Sequence, residues 1–494
     1  MTVTDTTPHV GENLFPTGQL FIAGHWRAAS GGGLMAVEAP ATGERLTDVA
    51  RATTADVDAA VAAARTAFDS GVWSGLPGRE RARILLEVAR LIRERSEQLG
   101  QIESQDAGKP IGMATNVDVN GAIGAFEYYG MLAQQIDGSV RETPGNVHAY
   151  VQREPLGVVA AITPFNFPLI LSTSKIAPAL AAGNSVVLKP ADDTPLSSLM
   201  LAEILQEAGI PDGVFNVITG VGSELGDRLV GHPEVDKVAF TGSTEVGAHV
   251  AGHAGKNLRP VVSELGGNSA NILFADADLD RAINTAIEAF VFNAGQFCMA
   301  GSRLYVERPV YERVLEQLPQ AVANIPWGDI TRPESVFGPL ISRKQFDRVA
   351  RLVSETVAAG ARVIVGGNPD PDRPGYFYPA TVLADVREDH PAVAREVFGP
   401  VLTVQPFDTE EEVIEAANGT AYGLAGGVQT GNTAKGHRVS SRLKAGIVWI
   451  NGWGLMDPAV PFGGVKASGW GRENGPEGLN EYLQTKSIVL NLEG

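Results

Sequence analysis

From residue 157 onward, short apolar runs alternate with segments of helical length and pattern, and this happens twice along the chain. Runs at 157–162, 185–188, 214–218 and 237–240 are predominantly apolar, as strands covered on both faces must be. Amphipathic stretches such as 197–208 lie between them. Buried strands separated by helices of this length pair in parallel through right-handed crossovers, which commits the chain to an α/β fold. A second set begins near Ser269, with strands near 303–306, 362–365, 401–407 and 446–450. Its helices include 343–359 and one starting at Asp408, with Glu411 placed for a capping box. At 494 residues the chain is long for one core, so two α/β domains joined near 264–267 are predicted.

Ahead of these lies an extended N-terminal region, then helical signals over 53–136. Thr53-Thr54-Ala55-Asp56 offers a cap, and Gly108-Lys109-Pro110 is expected to stop a long helix that begins near Arg79. Gly31-Gly32-Gly33 reads as a loop, because no strand feeds it. No tandem repeat, low-complexity tract or long linker interrupts the pattern.

Charge and cysteine usage narrow the partners. Acidic residues outnumber basic ones 57 to 39, a formal net charge of −18 that opposes nucleic acid and anionic membrane surfaces. Residues 1–16 carry no basic stretch followed by an apolar one, so no secretory signal is expected. The most apolar stretch, 156–171, is broken by Pro164, Asn166 and Pro168 and cannot span a bilayer. A single cysteine, Cys298, excludes an intrachain disulfide and a multi-cysteine metal site, and suits a reducing, cytoplasmic compartment. No metal is expected: His249 and His253, one helical turn apart without a partnering glutamate, read as a solvated helix face.

Two glycine-rich segments invite a nucleotide. Gly220-Val221-Gly222-Ser223-Glu224-Leu225-Gly226 nearly matches the dinucleotide fingerprint but has Leu225 where the third glycine belongs. Gly242-Ser243-Thr244-Glu245-Val246-Gly247 has the outer spacing of a phosphate loop but lacks the lysine that should follow. The second follows a strand and opens a helix, so its N–H groups and helix dipole can face a pyrophosphate. Lys189-Pro190-Ala191-Asp192 lies at the end of an earlier strand, where a lysine and a carboxylate can hold ribose hydroxyls. A carboxylate there repels a 2′-phosphate, which tilts the choice toward NAD, with NADP as the alternative.

Three further segments bear on chemistry. Cys298 sits in Asn293-Ala294-Gly295-Gln296-Phe297-Cys298-Met299-Ala300-Gly301, where a helical run gives way to glycines before a strand and small neighbours leave room at the sulfur. In Thr163-Pro164-Phe165-Asn166-Phe167-Pro168, prolines fix the backbone around an asparagine whose amide can donate to an oxyanion. In Glu264-Leu265-Gly266-Gly267 a carboxylate ends a strand beside two glycines. Taken singly, each has an ordinary alternative: a buried thiol, a loop asparagine, a surface glutamate.

Together, these segments resemble the aldehyde dehydrogenase superfamily in family order over nearly the whole chain. The similarity runs from Phe21-Ile22-Ala23-Gly24 through Lys189-Pro190-Ala191, Phe240-Thr241-Gly242-Ser243 and Glu396-Val397-Phe398-Gly399-Pro400 to Pro461-Phe462-Gly463-Gly464. The resemblance implies two Rossmann-like three-layer α/β domains plus a small β-arm oligomerisation element. Its boundaries would be 1–137 and 155–264 for dinucleotide binding, 265–475 for catalysis, and 138–154 and 476–494 for bridging into a homodimer or homotetramer. It implies oxidation of an aldehyde to the acid through a thiohemiacetal and thioester on Cys298. Asn166 would hold the oxyanion, Glu264 would activate water, and Lys175 with Glu473 would relay protons. The cofactor would touch Ile162, Lys189, Asp192, Gly222, Gly226, Phe240, Gly242, Ser243, Gly266, Glu396 and Phe398. Phe167, Leu171, Ser174, Phe297, Met299, Trp453, Met456 and Phe462 would line a mostly apolar pocket suited to an aliphatic or aromatic aldehyde. Two departures stand out: Asn268 where many members carry lysine, and Asp192 where glutamate is commoner. An acylating member, which hands its thioester to coenzyme A, commonly lacks the glutamate found at 264, and a catalytically silent protein on this fold would not need all three of Cys298, Asn166 and Glu264.

Overall fold

The computed structural model describes residues 17–493; residues 1–16, where no signal sequence is expected, and Gly494 lie outside them. Two large sheets carry the fold. The first has eight strands in the spatial order Gly469–Trp470, Val261–Glu264, Lys237–Thr241, Val158–Ile162, Ser185–Lys189, Phe215–Val217, Leu20–Ile22 and His25–Arg27. Its five central strands are parallel, and the pairs at both edges are antiparallel. The second has seven strands, ordered Arg362–Val365, Thr381–Ala384, Val401–Phe407, Arg303–Glu307, Ala270–Leu273, Ala425–Gln429 and Ile447–Ile450. Only Arg362–Val365 runs antiparallel there. Parallel strands buried on both faces are the α/β architecture expected from the run pattern.

In the first sheet the chain builds outward from Val158–Ile162 through Ser185–Lys189 to Phe215–Val217, then returns to place Lys237–Thr241 on the other side. The order therefore reverses beside Val158–Ile162, and a crevice opens at the carboxyl ends of these strands. Ile162, Lys189 and Thr241 are the last residues of three of them.

A third sheet pairs Val147–Pro155 antiparallel with Leu483–Asn491 over nine residues, and with the short strand Ser139–Arg141. The strand Gly469–Trp470 comes from the segment expected to be catalytic, yet it closes the edge of the first sheet through Ser263↔Trp470 and Glu264↔Gly469.

Several local expectations need correction. The helix expected from Arg79 to Gly108 is two helices, Gly78–Glu94 and Ser96–Ala107, because Arg95 leaves helical geometry at φ −102°, ψ 19°. Gly108, at φ 70°, ends the second, where a Cβ would press on Pro339 and Pro40. The cap near Asp408 falls one residue later: Thr409 accepts from Glu412 N at 3.2 Å, and Glu412 reaches back to Asp408 N at 2.8 Å. Glu411 instead pairs with Arg442 across to Thr433–Ser440 and its following turn. The strand Ala425–Gln429 lies outside the expected strands, and a Cβ on its Gly427 would strike the Trp453 ring at 2.6 Å.

Lys109, read from the sequence only as part of a helix stop, is fully buried between Asp118 and Glu103, with the Glu103 carboxylate 3.7 Å away. Its Nζ lies 4.1 Å from the centroid of the Phe167 ring, and Glu103 Oε1 accepts from Leu169 N at 3.0 Å. This cluster thus braces the turn that carries Asn166 from behind. Lys109→Met would leave two buried carboxyls without a counter-charge. The expected cost is about 3–5 kcal/mol of stability, read as a fall in the thermal unfolding midpoint; an unchanged midpoint would show that the acids are neutral without the lysine.

Candidate active site

Cys298 follows the helix Leu279–Val291 through an unusual turn. Asn293, Ala294 and Gly295 are consecutively left-handed, at φ 49°, 55° and 70°. Such conformations cost a non-glycine residue about 1 kcal/mol or more, so surrounding contacts must enforce them. Asn293 Nδ2 donates to Asn166 O at 2.8 Å and to Gln296 O at 3.2 Å. Gln296 Oε1 accepts from Ile341 N at 2.9 Å. Gly295 is pressed against the Gly399 carbonyl, which a Cβ would meet at 2.0 Å. The turn is held from three sides, and Cys298 emerges from it half-buried.

The same hydrogen bonds bring in Asn166. Its Nδ2 donates to Gln296 O at 2.9 Å, which leaves the second amide hydrogen of that nitrogen for another acceptor beside Cys298. Among the described residues no backbone carbonyl takes the Cys298 N–H. Glu264 ends its strand in a buried place where neither carboxylate oxygen has a hydrogen-bond partner among the described residues. Gly463, at φ 153°, lets that carboxyl lie against the backbone, since a Cβ would meet Glu264 Oε1 at 2.6 Å. Gly267 likewise allows the Cys298 carbonyl to approach, to 2.0 Å from where its Cβ would stand.

Burial pushes the Glu264 carboxyl well above the carboxylate range, and the neighbouring Glu473 charge adds to this against Lys175 and Arg472. Burial also raises the Cys298 thiol, with Glu264, Glu396 and Glu473 contributing in the same direction. The resting site therefore holds a protonated sulfur close to acids that share the field.

Lys175 and Glu473 form a buried ion pair across 298 residues of chain. Lys175 Nζ also donates to Thr241 Oγ1 at 2.5 Å, and Ser174 Oγ lies 3.1 Å from Glu473 Oε2. The backbones of Phe462 and Glu473 exchange two hydrogen bonds of 2.7 Å, which set the loop carrying Glu473. Ser174, expected in the pocket wall, thus turns its hydroxyl toward the ion pair.

The apolar residues fall into two groups. Phe167 stacks on Phe292 at 6.0 Å, and Phe292 meets Phe297 edge-on at 5.4 Å. On the other side Met299 packs with Trp449 and Trp453, and Trp453 Nε1 donates to Met299 O at 3.2 Å. Phe462 is buried, Leu171 is half-buried, and Met456 is exposed. Phe292, Asn293, Thr241 and Lys109 belong to this assembly but carried no isolated signal. Asparagine's tolerance of left-handed backbone beside Gly295 is the one clue that pointed at Asn293.

The crevice of the first sheet fits a dinucleotide. Lys189 Nζ pairs with Asp192, and Gly222 N donates to both Asp192 oxygens at 3.1 and 3.0 Å. A Cβ on Gly222 would stand 3.5 Å from Lys189 Nζ and fill this cradle, whereas Gly226 faces open space. Leu225, in place of the third glycine, is buried against Gly220. Ser243 caps the helix Thr244–Lys256, whose first turn exposes Val246. Phe240 lies buried under Gly242, supporting that turn from beneath. At the other end Glu396 Oε1 accepts from Gly267 N at 2.9 Å, and burial lifts its carboxyl to about 7. Phe398, at φ 57°, meets Phe165 edge-on at 5.8 Å, next to the Asn166 turn. His249 pairs with Asp227 and stacks on His253, and no group of three metal-ligating side chains occurs among the described residues. No helix among them is long and apolar enough to cross a membrane.

A dinucleotide crevice that ends beside a cysteine, an amide donor and a buried carboxyl defines an enzyme of aldehyde oxidation. Residues 26–488 match the sequence model of the aldehyde dehydrogenase family, and the chain belongs to that family. It is 42% identical to the putative aldehyde dehydrogenase DhaS of Bacillus subtilis over 97% of this chain and 96% of that protein. It is 43% identical to a betaine aldehyde dehydrogenase of Vibrio vulnificus over 92% and 93% of the two chains. The NAD+ complex of the aldehyde dehydrogenase of Bacillus cereus superposes with a TM-score of 0.95 at 43% identity, covering 97% of each chain.

Proposed function

We propose that this chain oxidises an aldehyde to its carboxylic acid with NAD, through a covalent intermediate on Cys298 that water releases. The observation that carries this reading is Glu264: a buried carboxyl whose oxygens have no hydrogen-bond partner among the described residues, in the field of Cys298. Such a group costs stability and is retained where its proton traffic is used. Cys298 Sγ gives its proton, by way of water, to Glu264 and adds to the aldehyde carbon. The resulting oxyanion is held by the free Asn166 amide hydrogen and the Cys298 N–H. A nicotinamide dinucleotide, when bound, supplies the acceptor for the hydride that converts this adduct to a thioester. Glu264, once its first proton has passed to Glu473 beside Lys175, takes a proton from water, the water oxygen adds to the thioester carbon, and Cys298 leaves as thiolate. Lys175 and Glu473 carry the proton onward.

Ile162, Lys189, Asp192, Gly222 and Gly226 would hold the adenosine end, and Gly242 and Ser243 the pyrophosphate. Phe240 would shape their turn, while Gly266, Glu396 and Phe398 would position the nicotinamide end. Because Asp192 already neutralises Lys189, the site offers little to a 2′-phosphate, which favours NAD over NADP.

The aromatic groups around Phe167, Phe297 and Trp453 favour an apolar aliphatic or aromatic aldehyde. A substrate panel tests this: hexanal and benzaldehyde should outperform short anionic semialdehydes in kcat/KM, and the reverse order would refute it. The arm sheet of Val147–Pro155 and Leu483–Asn491, with Val489 and Leu490 exposed, supports assembly into a dimer or tetramer. A single thiol that must stay reduced suits the cytoplasm.

Asn166→Ala removes the amide donor and the tie to Gln296. Its expected effect is a fall in kcat on the order of 10²–10³, with the protein still folded; a loss below about threefold would place the oxyanion elsewhere.

A further inference from the structure

Ser174 sits one residue before Lys175 on the helix Pro168–Ala182, buried, with its Oγ between two acceptors. Glu473 Oε2 is 3.1 Å away and Leu171 O is 3.2 Å away. A hydroxyl has one proton and two lone pairs, so it donates to one of them at a time. A helical serine ordinarily spends its proton on the carbonyl three or four residues back, and here Leu171 O fills that role. The nearby carboxylate is therefore an additional partner, reached only through tertiary packing.

The other partners of Glu473 serve one protonation state only. Lys175 carries three donors and no acceptor, and its Nζ is anchored on Thr241 Oγ1 at 2.5 Å. This arrangement holds an ionised Glu473 and has nothing to offer its proton. Ser174 can serve both states. It donates to ionised Glu473; when Glu473 is protonated, Ser174 Oγ accepts that proton's hydrogen bond and turns its own hydrogen to Leu171 O. We propose that Ser174 is a positioning residue that keeps the Glu473 carboxyl in one orientation through both halves of its proton cycle, so that acid release does not stall on side-chain rearrangement. This rests on the reading above, in which Lys175 and Glu473 carry the proton onward. The charged and titratable groups around Glu473 are Lys175, Glu264, Cys298, Tyr129 and Tyr482. None of them lies between Ser174 and Glu473 Oε2.

The competing account is steric: a small residue at 174 simply widens the pocket. Threonine and valine are nearly the same shape and differ in the hydroxyl, so they separate the two. With enzyme in excess over propanal and NAD present, NADH formation and acid release are followed in one turnover by absorbance and rapid quench. Ser174→Thr is expected to keep both rates within about threefold of the parent. Ser174→Val and Ser174→Ala are expected to keep the NADH rate and slow acid release about tenfold, the scale of a lost positioning contact. KM for propanal should follow side-chain volume and not the hydroxyl. If threonine and valine slow acid release equally, or if the loss falls on NADH formation or KM alone, the proposal is overturned. If the parent enzyme forms no acyl adduct on Cys298 by mass spectrometry, the covalent reading itself fails, which is a different result from either of these.

Discussion

Replacing Cys298 by serine is expected to abolish NADH formation from any aldehyde, with a loss on the order of 10⁴–10⁶-fold. The site is built to manage a thiol that burial already holds in its protonated form. A serine hydroxyl is far harder to ionise, and its ester would be a poorer substrate for the release step. The change is small in volume, and Cys298 makes no hydrogen bond that the fold depends on, so the variant should keep its thermal midpoint and its affinity for NAD. Both are measurable by thermal unfolding and by fluorescence titration. Steady turnover by this variant would remove Cys298 from the reaction.

Glu264→Gln separates the two halves of the cycle. Glutamine keeps the shape of the side chain but cannot take a proton from water. The variant should form about one equivalent of NADH per site, more slowly than the parent because the Cys298 proton must leave through water alone, and then accumulate an acyl adduct on Cys298, with steady turnover down on the order of 10²–10⁴-fold. Its pH dependence follows from the direction of the shift. A base must be deprotonated to act, so the steady rate of the parent enzyme rises with pH through the Glu264 value, which burial and Glu473 place above the ordinary carboxylate range. That limb should vanish from acid release in Glu264→Gln. The NADH step should keep its own rise with pH, which reports the raised Cys298 thiol. A variant that releases acid at the parental rate would assign the base elsewhere.

Much of this assembly was readable before any coordinates, and particular residues show why. Val158–Ile162 is a continuous apolar run and Lys237–Thr241 has one at its centre, so burial on both faces is written locally. Ser243 precedes a helix and follows a strand, which is enough to suggest an anion site. The order of the Asn166, Glu264 and Cys298 motifs carried the family resemblance, and the Asn166–Gln296 bond ties two of those motifs together at 2.9 Å. Other features depended on contacts that no local pattern encodes. Lys109 looked like part of a helix stop until Asp118, Glu103 and the Phe167 ring were seen to enclose it. The strand Ala425–Gln429 carries two glycines, and only the packing shows that one of them makes room for the Trp453 ring. The Arg79–Gly108 helix broke at Arg95, where nothing in the sequence marks a stop.

By itself, the sequence determined the α/β class, the crevice at the strand ends and the identity of the sulfur, amide and carboxyl, because periodicity, turn chemistry and motif order are local properties. Only the tertiary structure decided how those groups meet and what surrounds them. It set the left-handed turn at Asn293, Ala294 and Gly295, the burial that raises the Glu264 carboxyl and the Cys298 thiol above their ordinary ranges, and the meeting of Ser174 and Lys175 with Glu473. The physical reason is that a pKa and a hydrogen-bond partner depend on what surrounds a group in space. Here the surroundings come from segments hundreds of residues apart, joined where Gly469–Trp470 returns to the edge of the first sheet.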